Sequence, residues 1–199
     1  MKRAFDIFVS SAALLLASPL MLAIAVLVWL DSRGPIFFAQ ERVGRAFRRF
    51  RIWKFRSMRA SRGGPEITVR GDSRVTRVGA LLRATKLDEL PQFWNVLVGD
   101  MSLVGPRPEV PKYVEMYRDR FSAILKVRPG ITDTGSIVYR HEEKLLAAAA
   151  EPERFYREVV LPRKLAIAAD YVERQSLALD LRILFRTVAA VVSPGSAKC

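Results

Sequence analysis

Asp88 and Glu89 are adjacent carboxylates just ahead of Pro91, with Arg83 and Lys86 immediately upstream. A carboxylate is already ionised at neutral pH, so it can serve as a nucleophile or as an oxygen ligand to a hard cation without an activating base. Little else in the chain offers chemistry. There is one histidine, His141, and one cysteine, Cys199. That removes paired-His metal sites, multi-Cys sites and intrachain disulfides, and it argues against a His-activated nucleophile. A Walker phosphate loop, a dinucleotide G-x-G-x-x-G and an H-E-x-x-H are all missing. Reactivity therefore falls to carboxylates and arginines, with room for an oxygen-bound cation. A plain alternative exists for the pair, because acids followed by Pro are also a common helix start. Neighbours on a helix diverge by about 100°, so the two acids can share a site only at the end of an element. Pro91 makes such an end plausible.

The elements that must position this pair belong to a basic chain. Its 199 residues suit one domain, and half of them are hydrophobic. Lys and Arg number 33 against 20 acids, a formal net charge of +13. That surplus predicts a polyanionic neighbour, whether nucleic acid, anionic lipid or a phosphorylated substrate.

From Ile7 to Leu30 no residue is charged. As a helix the run would reach roughly 36 Å, enough to cross a hydrocarbon core of about 30 Å. A cleaved signal peptide would use Lys2-Arg3 and Ala23-Ile24-Ala25, but the apolar run continues to Leu30. A single span is the other simple choice. Ser18-Pro19 interrupts the run, and Pro removes a helical hydrogen bond that the Ser18 hydroxyl could replace. Both flanks are basic, with Lys2-Arg3 before and Arg33, Arg42 and Arg45 after, which favours keeping both ends in the cytoplasm. A hairpin kinked at Ser18 and Pro19, re-entering one leaflet over residues 1–33, satisfies both facts.

Residues 34–199 read as one catalytic domain on the cytosolic face. Gly34-Pro35 forms a turn, Ile36-Phe37-Phe38 a short strand, and Phe50 to Arg56 an alternating strand. Arg42 to Arg62 holds nine basic residues, no acid and interleaved aromatics. Such a stretch suits a half-buried strand, a membrane or phosphate surface, or single-stranded nucleic acid. Ser61 to Ser73 reads as a loop, and Arg77–Lys86, Glu109–Val127, Glu142–Ala150 and Glu153–Gln175 as helices. Gly105-Pro106-Arg107-Pro108 and Arg128 to Thr132 read as turns. Leu177–Val192 is an amphipathic helix suited to a core or to a membrane interface. The fold class is α-rich α+β: one domain with a small β element, the re-entrant helix and interfacial helices.

Several segments, in order, resemble the small monotopic phosphoglycosyl transferases, the initiating undecaprenyl-phosphate sugar phosphotransferases. They are Lys2 to Asp6, Ser18-Pro19-Leu20, Gly34 to Gly44, Lys54-Phe55-Arg56-Ser57-Met58, Leu87 to Gln92, Asn95-Val96-Leu97, Gly99 to Pro108 and Arg128 to Thr132. The resemblance implies a one-leaflet topology at the cytoplasmic face of the bacterial inner membrane. It also implies Mg²⁺ dependence and transfer of a phosphosugar from a UDP-sugar to a polyprenol phosphate. In that scheme Asp88 is the nucleophile that forms an aspartyl-phosphosugar and expels UMP, and Asp88 and Glu89 hold the metal. Arg83, Arg107 and Arg140 fall where the family places arginines around the substrate phosphates, a task that suits the planar guanidinium. After Thr132 the sequence departs from many relatives: Asp133 to Glu143 keeps Arg140 in register but not its neighbours. The competing class is a membrane-tethered nucleic-acid binder, which leaves Asp88 and Glu89 without a task. Expected partners are the UDP-sugar, the polyprenol phosphate and membrane lipid, with no nucleic acid. The sugar and the oligomeric state are not encoded in these motifs.

Overall fold

The structure is a computed structural model that describes residues 1–59, 69 and 71–192. Most of the Ser61–Ser73 loop, the last part of the basic stretch and Cys199 lie outside the described residues. Helix α1 (Lys2–Asp31) runs unbroken by its hydrogen-bond pattern, with Pro19 inside it. At the position of the expected kink the Ser18 hydroxyl donates to the Leu15 carbonyl (2.7 Å), the acceptor that Pro19 cannot use.

Both ends of α1 are fastened to the same body. Near its start, Lys2 Nζ donates to Asp180 (2.5 Å) and to the Val104 carbonyl (2.9 Å). Arg3 donates to the Val96 and Leu97 carbonyls, and Asp6 accepts from the Ser102 hydroxyl (2.8 Å). At its far end Ile24 and Val28 are buried with Phe55 and Leu82. Burying two such aliphatic side chains contributes about 1.5–3 kcal/mol each. Arg56 donates to the Ser32 carbonyl, placing a cation at the helix C-terminus, and the Val78 amide donates to Asp31 (3.0 Å). Between these anchorages Leu15, Leu16 and Leu20 are exposed. Helix α1 is long and apolar enough to cross a membrane.

Strands β1 (Phe37–Val43) and β2 (Arg49–Phe55) form an antiparallel hairpin in which Phe38 faces Lys54. Helix α2 (Arg77–Thr85) is capped by Thr76, whose hydroxyl accepts from the Gly79 amide (3.0 Å). A Cβ at Gly79 would collide with the Ser57 backbone, so this glycine lets α2 lie directly on the chain leaving β2. A 3₁₀ turn (Leu87–Glu89) follows, then α3 (Gln92–Val98).

Strand β3 (Ser102–Val104) pairs in parallel with β4 (Gly130–Thr132), where the sequence reads as turns. Gly105 and Gly130 allow this approach, since a side chain on either would strike the other's backbone. The expected helix over Glu109–Val127 is two, α4 (Pro111–Met116) and α5 (Arg118–Ile124), broken at Tyr117, whose φ of −122° and ψ of 38° are not helical. Short helices α6 (Thr134–Val138), α7 (Glu142–Ala147) and α8 (Pro152–Phe155) lead through a π turn (Tyr156–Val160) into α9 (Leu161–Arg174). The π turn ends just before Pro162, which lies in the first turn of α9, so the Glu153–Gln175 helix is not uniformly α. Helix α10 (Leu177–Val192) buries Asp180 and Ile183 and leaves Leu177, Leu181, Phe185 and Val188 exposed in one stripe.

Candidate active site

The 3₁₀ turn makes an element's end out of the two acids. Lys86 takes a left-handed conformation (φ 59°, ψ 15°) that stops α2, and Pro91 opens α3. The turn sends Asp88 and Glu89 into different surroundings. Glu89 Oε1 receives Lys54 Nζ at 2.9 Å and Arg107 Nη2 at 2.5 Å. Burial alone would raise the Glu89 carboxyl, but the charges of Arg107 and Lys54 hold it well below the usual carboxylate range. Glu89 in turn pushes the Arg107 guanidinium further up, while burial draws the Lys54 ammonium down. Glu89 and Arg107 are therefore both ionised at neutral pH.

Asp88 is different. It is buried, and its Oδ1 has no hydrogen-bond partner among the described residues. Burial raises its carboxyl above the ordinary value of 3.8, with Lys54 pulling the other way. Its neighbour Glu89 takes up Lys54 and Arg107, and Asp88 keeps a buried carboxylate oxygen with no donor among the described residues, a costly arrangement for a polar group.

Each cation is set by the fold. Lys54 is placed by β2, and Asn95 on α3 grips that strand by accepting from the Trp53 amide (3.1 Å) and donating to the Arg51 carbonyl (2.8 Å). Arg107 sits in the loop after β3, where its amide donates to Asp133 (3.2 Å) and its guanidinium also reaches the Ile131 carbonyl (3.5 Å). Pro106 and Pro108 on either side follow trans bonds. Asp133 caps α6 as well, accepting from the Ser136 amide at 2.5 Å.

Of the residues singled out in the sequence, Asp88, Glu89 and Arg107 are brought together. Arg83 points its guanidinium at Glu143 and Met58, and its charge acts on Asp88 only weakly. No hydrogen bond joins Arg140 to the pair, though its Nη1 is buried and has no partner among the described residues. Sequence reasoning passed over Lys54 and Asp133; Lys54 lies inside a motif quoted above but carries no role there. Part of the basic stretch is spent inside the protein, where Arg42 pairs with Glu109, Lys54 with Glu89, and Arg56 caps α1, while Arg45, Arg48, Arg49 and Arg51 stay exposed.

The profile of a known family, described as bacterial sugar transferase, matches residues 1–194. The chain belongs to that family. Bacterial sugar transferases similar to it include a protein of Aeromonas hydrophila named UDP-N-acetylgalactosamine-undecaprenyl-phosphate N-acetylgalactosaminephosphotransferase. The two are 42% identical over 96% of this chain and 44% of the relative. A UDP-glucose:undecaprenyl-phosphate glucose-1-phosphate transferase of Caulobacter vibrioides is 37% identical over 98% of this chain and 71% of its own length. An exopolysaccharide production protein of Rhizobium leguminosarum bv. phaseoli is 38% identical over 98% of this chain and 96% of the relative. The chain thus spans less than half of the Aeromonas bacterial sugar transferase and nearly all of the Rhizobium one.

Proposed function

We propose that this chain transfers a sugar phosphate from a UDP-sugar to a polyprenol phosphate, through an ester on Asp88. The observation that carries this reading is the unpartnered, buried Asp88 carboxylate beside a Glu89 that already binds Lys54 and Arg107. In the first half-reaction an Asp88 oxygen bonds to the β-phosphorus of the donor. The bond from that phosphorus to the bridging oxygen breaks, and UMP leaves with the electron pair. In the second, an oxygen of the polyprenol phosphate attacks the same phosphorus and the Asp88 carboxylate departs. The anomeric carbon is untouched, so its configuration is retained.

Two anions must meet in each half-reaction, and Arg107 and Lys54 supply positive charge at the meeting point. Glu89 orients those cations and keeps them from closing onto Asp88. Arg83 and Arg140 complete the arginine set once the donor enters, with the buried Nη1 of Arg140 as a free donor.

The family resemblance also implies Mg²⁺. The donor set fits a weakly chelated ion: Asp88 Oδ1 is an orphaned oxygen, while Glu89 is occupied by cations. Mg²⁺ accepts one or two carboxylates and completes its shell with substrate phosphate and water. Asp88 would therefore be the chief protein ligand and Glu89 a secondary one, and the ion would offset charge on the diphosphate.

The membrane arrangement we infer is monotopic, at the cytoplasmic face of the inner membrane. It is supported by the two anchorages of α1 on one body, Lys2–Asp180 at one end and Ile24 and Val28 at the other, with Leu15, Leu16 and Leu20 exposed between them. The exposed stripe of α10 suits the interface.

The test is intact-mass measurement of the folded protein after exposure to a panel of UDP-sugars with Mg²⁺ and no acceptor. A mass gain equal to one sugar phosphate, absent in Asp88→Asn, is expected. No adduct with any donor, together with UMP release only when acceptor is present, would overturn the covalent route.

A further inference from the structure

At the opposite end of α3 from the acids, two cavities of about 240 and 420 Å³ adjoin, sharing Arg45 and Arg128 in their walls. The cations around them are Lys2, Arg3, Arg45, Arg48, Lys126 and Arg128. Three are already engaged in the fold. Lys2 is held by Asp180, Arg3 by the carbonyls of Val96 and Leu97, and Arg128 Nε donates to the Gly99 carbonyl (2.9 Å). Among the described residues, no acid forms an ion pair with Arg45, Arg48 or Lys126, and all three are exposed. Of the two acids in the walls, Asp6 is occupied by Ser102 and the Leu103 amide, and Asp100 stands alone against the surplus.

The tip of the β1–β2 hairpin is built to present this charge. Ala46 and Phe47 both have positive φ (54° and 60°), a conformation that L side chains disfavour. It is maintained by the Ala46 amide donating to the Leu125 carbonyl (2.8 Å) and by Arg118 lying over the Phe47 ring (4.6 Å). The outcome is Arg45 and Arg48 on either side of a fixed turn. The larger cavity also reaches the first residues of α1, whose partial positive charge adds to the field. The exposed apolar surface of that helix begins within two turns, at Ile7 and Phe8.

We propose that this basic cavity binds the phosphate-diester headgroup of an acidic membrane phospholipid. The assignment rests on the membrane reading of α1, which puts the cavity at headgroup depth, and not on the transferase chemistry. It shares no residue with the Asp88, Glu89, Lys54 and Arg107 arrangement. Lipid phosphates at an interface attract basic clusters, each cation strengthening binding about fivefold.

The experiment follows thermal unfolding of the full chain in neutral detergent. Short-chain phosphatidylglycerol, phosphatidylcholine and inorganic phosphate are titrated at equal ionic strength. Phosphatidylglycerol is expected to raise the midpoint saturably and the other two not. The triple variant Arg45→Gln, Arg48→Gln, Lys126→Gln should weaken that response ~100-fold, and Lys126→Gln alone about fivefold. A control triple variant, Arg154→Gln, Arg163→Gln, Arg174→Gln, should respond like the wild-type chain. Equal stabilisation by phosphatidylcholine, an equal effect of inorganic phosphate, or an equal loss in the control variant would each overturn the proposal. UMP release from the same preparations keeps the two readings apart. It should be unchanged in the cavity variants, and its absence from the wild-type chain would strike the transfer reaction alone.

Discussion

Glu89 holds two cations, Lys54 and Arg107, on a single carboxylate oxygen, while the neighbouring Asp88 Oδ1 is buried with no hydrogen-bond partner among the described residues. Consecutive residues of the same chemical type are thereby separated into a carboxylate paired with two cations and one left unpaired. The separation comes from the 3₁₀ turn, which gives each side chain its own direction.

Replacing Asp88 by Asn should abolish transfer while leaving the fold more stable. A carboxylate raised by burial binds its proton more tightly folded than unfolded, so it costs stability once pH exceeds the unfolded value of 3.8. With a chelator present and at pH 7, Asp88→Asn should melt higher by ~2–4 °C, about 1 kcal/mol in a chain of this size. That advantage should shrink as pH falls and Asp88 in the wild-type chain takes up its proton. Thermal melts of both proteins across pH 4–8 check this, and a lower melting point for the variant at pH 7 would contradict it.

Glu89→Gln should behave in the opposite way. It strands Lys54 and Arg107, both partly exposed, without their counter-charge, which should cost about 2 kcal/mol, or ~4–8 °C. Glu89 is held well below the ordinary value of 4.5, so its contribution is fully present above that value and is lost only as pH falls through the depressed one. The deficit of the variant should therefore persist down to pH 5, measured by the same melts. Activity should fall together with stability.

Lys54→Met should lower the rate of UMP release by about 100-fold, the scale of losing one charged donor at a phosphoryl centre. Arg107 still pairs with Glu89 in that variant, so it should fold. Single-turnover release from UDP-sugar measures the effect, and an unchanged rate would remove Lys54 from the site.

Reporter tags fused at residue 1 and residue 199 should both be accessible from the same side of sealed vesicles. The expectation follows from the anchorage of both ends of α1 on one body. Opposite accessibility would mean that α1 spans the bilayer, with Lys2 separated from Asp180.

Asp88, Glu89 and Arg107 are legible in the sequence because short motifs carry them and Pro91 marks the turn. Lys54 is not, because its part depends on which way the β1–β2 hairpin presents it and on Asn95 holding β2 against α3. Both are tertiary facts. Hydropathy locates α1 and Pro19, and the side-chain chemistry of Ser18 next to a proline anticipates its bond to the Leu15 carbonyl. The three-residue strands β3 and β4 are too short for a period to show, and their Gly and Pro neighbours read as turns. The break at Tyr117 has neither Gly nor Pro to announce it. Helix α10 shows clearly as amphipathic, since its exposed apolar residues recur every three or four positions.

The fastening of α1 at its two ends has a practical side. Trimming away the greasy N-terminal segment to obtain a water-soluble enzyme would strip Ile24 and Val28 from around Phe55, and would leave Asp180 as a lone negative charge inside the protein. The segment works as a keel as much as a mooring, and handling this protein in solution means keeping it and supplying detergent.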